Sequence, residues 1–173
     1  MPNMEDIISG HNKKLLNQKK HEQNCSRSQK NCNCRKGSEK CPLKGECLNQ
    51  SLIYKADVIE NNKISTYIGL ASNTFKERYI NHMSSFNNRK LRDSTTLSKY
   101  IWNLKDKNIQ YEINWSKIYS APAYSPISKT CQLCSMEKTM ILTSKYPNLL
   151  NKRNELLGKC RHRRKFLLSA FVT

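Results

Sequence analysis

"TYIGLASNTFKERYINH", Thr66 to His82, runs from a strand through a glycine corner into a helix. Tyr67 and Ile68 have strand character. Ser72 or Asn73 can cap a helix in which Phe75, Tyr79, Met83 and Phe86 recur at helical spacing as a buried stripe. Arg78 and His82, at i and i+4, project from a neighbouring face. Upstream, "SLIYKADVI" reads as a strand, "ENNK" as a turn and "ISTYIGL" as a second strand, the composition of a β-hairpin. Downstream, Ser94 or Thr95 can cap a helix in "STTLSKYIWNLKDK", with Leu97, Tyr100, Ile101 and Leu104 on one face. The alternation of Ile109, Tyr111, Ile113 and Trp115 predicts a third strand over Ile109 to Tyr119. "SAPAYSPIS" is a loop, and "CQLCSMEKTMILTSKYP" is a further helix stopped by Pro147.

The chain has 173 residues, room for one ordinary domain and an appendage. Its net charge of +18, from 31 Lys and Arg against 13 Asp and Glu, exceeds what solubility needs and favours a polyanionic partner, nucleic acid ahead of an acidic membrane surface. Residues 1–50 carry an excess of +5 and residues 51–173 one of +13, so the charge is no mere tail. No apolar stretch approaches the roughly 18 residues of a membrane span, and "MPNMEDIISGHNKK" lacks the apolar centre of a secretory signal. An intracellular protein without a membrane partner is expected. The opening segment, rich in Asn, Lys, Ser and Gln, has one short amphipathic run around Ile7, Ile8, Leu15 and Leu16, too little to form a core unaided.

Eight cysteines in a reducing compartment would be thiols or metal ligands. Cys32, Cys34, Cys41 and Cys47 lie in "CNCRKGSEKCPLKGEC", a compact set able to wrap a tetrahedral zinc; free thiols or two disulfides are the alternative. A structural zinc there would explain how so polar a segment folds. Farther on, Cys131 and Cys134 form a C-x-x-C and Cys160 and His162 a C-x-H, a second candidate zinc set that would clip the helix to the basic C-terminus "RHRRK". A redox pair is the competing view of Cys131 and Cys134, without a thioredoxin-like context. Cys25 and His21 remain as substitute ligands.

Glu137 falls on the edge of the Leu133, Met136, Met140, Ile141 stripe, so its carboxylate needs a partner: a nearby Lys or Arg, or a divalent cation facing phosphate. Arg78 can fork onto a phosphate and stabilise the charge that builds when water attacks phosphorus, unless it is a generic surface arginine. His82 can hydrogen-bond the same phosphate or pack beside Tyr79.

Ile53-Tyr54, Tyr67-Ile68-Gly69, Asn73, Phe75, Arg78 and His82, in this order, resemble the GIY-YIG endonuclease family. The resemblance spans about Ser51 to Glu155. It implies that Tyr54, Tyr67, Gly69, Arg78, His82, Glu137 and Asn151 form the site, with Asn148 or Asn154 as alternatives for the last. Leu52 stands where the first motif has glycine. The cysteine-rich preface and basic ending look like the C-terminal endonuclease region of Penelope-like retroelements, where the nuclease follows a reverse transcriptase. The fold implied is α+β: a small three-stranded antiparallel sheet flanked by helices over residues 51–157. It is preceded by a cysteine-rich zinc-binding extension over residues 1–50 and followed by a basic segment over residues 158–173 that contributes to a second zinc site. The activity implied is hydrolysis of a DNA phosphodiester with one Mg2+ or Mn2+ held by Glu137, nicking DNA to prime reverse transcription. Partners would be DNA and a reverse transcriptase or its RNA template, and the location nuclear. Tyr54, or else Tyr67, would be the base, with Arg78, Lys76 or the metal favouring its ionised form, and Arg78 would stabilise the transition state. The reading from another class is a zinc-stabilised nucleic-acid-binding module whose cleavage has lapsed.

Overall fold

A computed structural model describes residues 3–24, 31–35, 40–122, 131–152 and 160. The chain divides into two compact units, Met1–Lys30 with Tyr124–Cys131 and Lys159–Thr173, and Asn31–Ala123 with Gln132–Gly158. The division at Asn31 leaves Cys32, Cys34, Cys41 and Cys47 with the sheet, whereas the sequence reading drew its boundary after residue 50.

In the first unit, α1 (Met4–Asn24) is a continuous helix, where only a short amphipathic run was expected. Scarcity of apolar residues argues against a core, not against a helix. Asn3 accepts a hydrogen bond from the Glu5 amide (3.3 Å), and Glu5 and Asp6 place negative charge at the helix start. Ile8 is buried while Met4, Ile7 and Leu16 are exposed.

The second unit is α+β. Strands β1 (Leu52–Glu60) and β2 (Lys63–Ala71) form the expected hairpin, closed at Asn61 and Asn62, both at positive φ (42° and 62°), which asparagine tolerates in tight primed turns. Strand β3 (Glu112–Ser120) pairs antiparallel with β1, giving the order β2-β1-β3. It begins three residues later than its alternation suggested. The amide of Ile109 instead bonds the Leu104 carbonyl (3.0 Å), after Asn108 turns the chain at φ 53°.

Alternation along β1 sends Leu52, Tyr54, Ala56 and Val58 to one face. There they join Tyr67 and Ala71 of β2, Phe75 and Phe86 of α2 (Phe75–Asn87), and Leu97, Ile101 and Leu104 of α3 (Thr96–Asp106) in one core. The opposite face, with Ile53 and Ile68 buried, receives α4 (Gln132–Thr143). Thr74, not Ser72 or Asn73, caps α2: its hydroxyl accepts from the Glu77 amide (3.3 Å), while Asn73 donates to the Glu77 carboxylate (3.0 Å). Thr95 caps α3 by accepting from the Ser98 amide (3.0 Å). Helix α4 stops at Thr143, four residues short of Pro147, as Ser144 turns its hydroxyl back onto the Ile141 carbonyl (3.0 Å). Tyr146, ahead of proline, is then disfavoured from the helical region.

Candidate active site

Register creates the centre of the site. Tyr54 of β1 lies opposite Gly69 of β2, and Ala56 lies opposite Tyr67, so both tyrosines stand on the face covered by α2. Tyr54 leans across Gly69. A Cβ at residue 69 would meet the Tyr54 hydroxyl at 2.5 Å, its ring carbon Cζ at 2.7 Å and Tyr67 Cε1 at 2.9 Å. Glycine is needed here for close approach. A bulge on β3, where Ile53 faces Tyr119 but Tyr54 faces Lys117, shifts the pairing beside Tyr54.

Helix α2 brings Arg78 and His82 onto the same phenol. Arg78 Nε donates to the Tyr54 hydroxyl oxygen (3.1 Å), and Arg78 also hydrogen-bonds Tyr67. His82 Nε2 lies 2.7 Å from that Tyr54 oxygen. Burial, reinforced by Arg78, pulls His82 down to about 3, so its imidazole is neutral. A Tyr54 hydroxyl that donates to Nε2 while accepting from Arg78 corresponds to the tautomer with the His82 proton on Nδ1. Phe75, Phe86 and Trp115 enclose the pair, with Trp115 5.4 Å from the His82 ring and 5.7 Å from that of Tyr54.

This enclosure works against ionisation of Tyr54. Arg78 does favour the Tyr54 phenolate, but burial outweighs it and Glu137 opposes it, pushing the phenol up to about 12. Tyr54 has no exposed surface, and its hydroxyl lies within hydrogen-bond distance of both Arg78 Nε and His82 Nε2. Desolvation weakens the charge on Arg78, but the two tyrosines more than restore it, and its guanidinium stays cationic.

Glu137, half-buried on α4, lies within electrostatic reach of Tyr54. A lone carboxylate of this kind is a group that could contribute one oxygen to a hard divalent cation. Asn151 binds the backbone of β2. Its Oδ1 accepts from the Ile68 amide and its Nδ2 donates to the Ile68 carbonyl, both at 2.8 Å, so the amide fastens the outer edge of β2. Thr66 and Leu150 extend that edge: the Thr66 amide bonds the Asn148 carbonyl (2.9 Å) and the Leu150 amide the Thr66 carbonyl (2.8 Å). Asn154 lies outside the described residues.

The sulfurs of Cys32, Cys34, Cys41 and Cys47 all lie within 4.8 Å of one another. Cys47 sits 3.6 Å from Cys32 and 3.7 Å from Cys34. A tetrahedral zinc with Zn–S of about 2.3 Å sets neighbouring sulfurs about 3.8 Å apart, so this group can hold the ion. At Cys41 burial opposes ionisation, but amides of Gly45 and Leu43 outweigh it and bring the thiol down to about 7. Burial and the adjoining Cys32 and Cys34 push Cys47 up to about 12. Of the second set, Cys131 is buried and Cys134 and Cys160 half-buried; His162 lies outside the described residues, as do Cys25 and the basic C-terminal cluster.

Three features went unread in the sequence. Trp115 was seen only as a strand residue. Glu60 accepts from Tyr100, whose hydroxyl also meets Ser65 Oγ at 2.9 Å. Asp57 gathers Thr66 (2.7 Å) and Lys55 (2.6 Å) on the α4 face. Among the described residues no helix is long and apolar enough to cross a membrane. No protein-family model, curated protein or solved structure matches the chain.

Proposed function

We propose that this chain is a metal-dependent DNA endonuclease of the GIY-YIG kind, nicking DNA in the nucleus to prime reverse transcription of a Penelope-like retroelement. The observation that carries the reading is the fixing of the Arg78 guanidinium by tyrosines of two adjacent strands, Tyr54 and Tyr67. A cation oriented before substrate arrives needs no reorganisation when charge develops on a phosphoryl group. Tyr54 and His82 hold Arg78 in place, and Tyr67, at the margin of the same cluster, orients the attacking water. Glu137 would hold one Mg2+ or Mn2+, which when bound neutralises phosphate charge and favours hydroxide at neutral pH. The net charge of +18 supplies long-range attraction to DNA. Cys32, Cys34, Cys41 and Cys47 hold a structural zinc, and the C-x-x-C and C-x-H spacings support a second at Cys131, Cys134, Cys160 and His162.

The test is purified protein with supercoiled plasmid and Mg2+ or Mn2+. Nicked circles are expected, lost in Arg78→Ala and Glu137→Ala; plasmid left intact, or nicked equally by both variants, refutes the reading. The neutral, enclosed Tyr54 favours one alternative, a binding module that no longer cleaves. That protein would shift duplex DNA in a salt-sensitive manner without any strand scission.

A further inference from the structure

The cysteine segment does more than fill a corner of the fold. The first amides of a helix have no partner within it. In α2 two of these are taken by the cysteine segment: the Phe75 amide bonds the Asn49 carbonyl (3.0 Å) and the Lys76 amide bonds the Cys47 carbonyl (2.7 Å). The Lys76 ammonium reaches Asn33 Oδ1 (2.6 Å), between two of the cysteines, and Glu46 pairs with Lys117 of β3 (2.6 Å). Cys41, Leu43 and Cys47 are buried in the core that contains Phe75 and Tyr54. Arg78 and His82 lie one and two turns farther along this helix.

We propose that the metal bound by Cys32, Cys34, Cys41 and Cys47 anchors the N-terminus of α2, making Cys47 and Asn49 positioning residues for Arg78 and His82. The segment carrying these carbonyls has Leu43 and Leu48 as its only large aliphatic side chains between Asn31 and Gln50, so it depends on the ion for its shape. Loss of the ion releases both carbonyls, so the Phe75 and Lys76 amides lose their partners and the start of α2 keeps only its Thr74 cap. Helix α3, whose N-terminal amide is satisfied by its own Thr95, keeps its support. The structural part of this inference rests only on the zinc assignment. The nuclease reading enters through one activity measurement.

The experiment is hydrogen exchange by mass spectrometry on the full chain, with zinc bound, after removal by a zinc-selective chelator, and after Zn2+ is restored. Amides in residues 75–80 should exchange roughly 30-fold faster without zinc, the weight of two net backbone hydrogen bonds. Those of residues 98–106 should change little, and restored Zn2+ should reverse the effect. In a Trp102→Phe chain, Trp115 emission should shift on chelation, because its ring packs on Tyr54, Phe75, Tyr79 and His82. Cys47→Ser should resemble the chelated protein and resist restoration. Equal loss of protection in α2 and α3 would reduce the ion to a general staple and overturn the proposal, as would unchanged α2 protection once zinc is gone. Because no DNA is used, either outcome leaves the nuclease reading standing. With Mg2+ supplied, plasmid nicking should fall through kcat as zinc is withdrawn; unchanged kcat would also overturn the positioning role.

Discussion

Replacing Gly69 by alanine adds a single methyl group at the point where two strands and a helix converge. Its Cβ would sit 2.5 Å from the Tyr54 hydroxyl, 2.7 Å from Tyr54 Cζ and 2.9 Å from Tyr67 Cε1, all nearer than van der Waals contact permits. Tyr54 cannot swing aside, since it has no exposed surface and is packed against Phe75 and Trp115. Overpacking of this kind costs about 1–3 kcal/mol. Displacing the hydroxyl also breaks its bonds to Arg78 and His82, at about 1 kcal/mol net each. A total of about 3–5 kcal/mol is a large share of the roughly 5–15 kcal/mol typical of a domain. Urea denaturation followed by circular dichroism measures it. The reasoning is sharpened by Tyr54→Phe, which removes the oxygen that collides first. Combined with Gly69→Ala, it should leave a penalty smaller than the sum of the two by about 2 kcal/mol, because both single changes break the same two hydrogen bonds. Strict additivity, or Gly69→Ala as stable as the parent, would refute the claim that this glycine exists to admit the Tyr54 hydroxyl.

Two further perturbations separate positioning from chemistry. His82 is buried and neutral, with its ordinary value near 6.5 pulled down to about 3, so below pH 6.5 the unfolded chain takes up a proton that the folded one refuses. Stability from this source is fully present above pH 6.5 and is lost as pH falls toward 3; denaturation should show about 2 kcal/mol less at pH 5 than at pH 7, a difference flattened in His82→Gln. Asn151→Asp removes the donor to the Ile68 carbonyl and should cost about 1–3 kcal/mol by the same denaturation assay, while protein kept folded still nicks plasmid; normal stability with cleavage abolished would return Asn151 to the chemistry.

The hairpin and the two helices after it were legible because each carries its own periodicity: alternation in Leu52–Glu60 and Lys63–Ala71, and a three-four repeat in Phe75–Asn87 and Thr96–Asp106. Helix ends were less so. Ser72, Asn73 and Thr74 can all cap, and the choice fell to Thr74, whose chain is extended at ψ 146° and whose amides beyond it meet the cysteine segment. Arg78 and His82 were readable as a pair, since their separation along the helix fixes a shared face. What they face was not. The partner phenol is 24 and 28 residues away, and burial, which raises its pKa, is not visible in a local pattern. Asn151 was named by the resemblance, but its contacts with Ile68, spanning 83 residues, had no local signal. The four cysteines announced a metal by number and loop chemistry, but no local pattern could say that their carbonyls would end on α2.

Leu52 illustrates how a departure from a motif is absorbed. A glycine there would suggest a backbone that only glycine adopts, yet Leu52 lies within a regular strand, opposite Ala71 and Ser120, with no exposed surface. The positive φ falls one residue earlier, at Ser51 (50°), and the irregularity in pairing falls one residue later, between Ile53 and Tyr54. Neither requires residue 52 to lack a side chain. Leu52 instead fills the core shared with Cys41, Leu43 and Cys47, the segment that meets the start of α2. The aim of Tyr54 is set by the space over Gly69, the bulge in β3 and the two polar groups of α2. A leucine at 52 therefore leaves the Arg78 cluster intact while adding apolar contact beneath the cysteines, which ties the one position that departs from the resemblance to the segment whose cysteines can hold a metal.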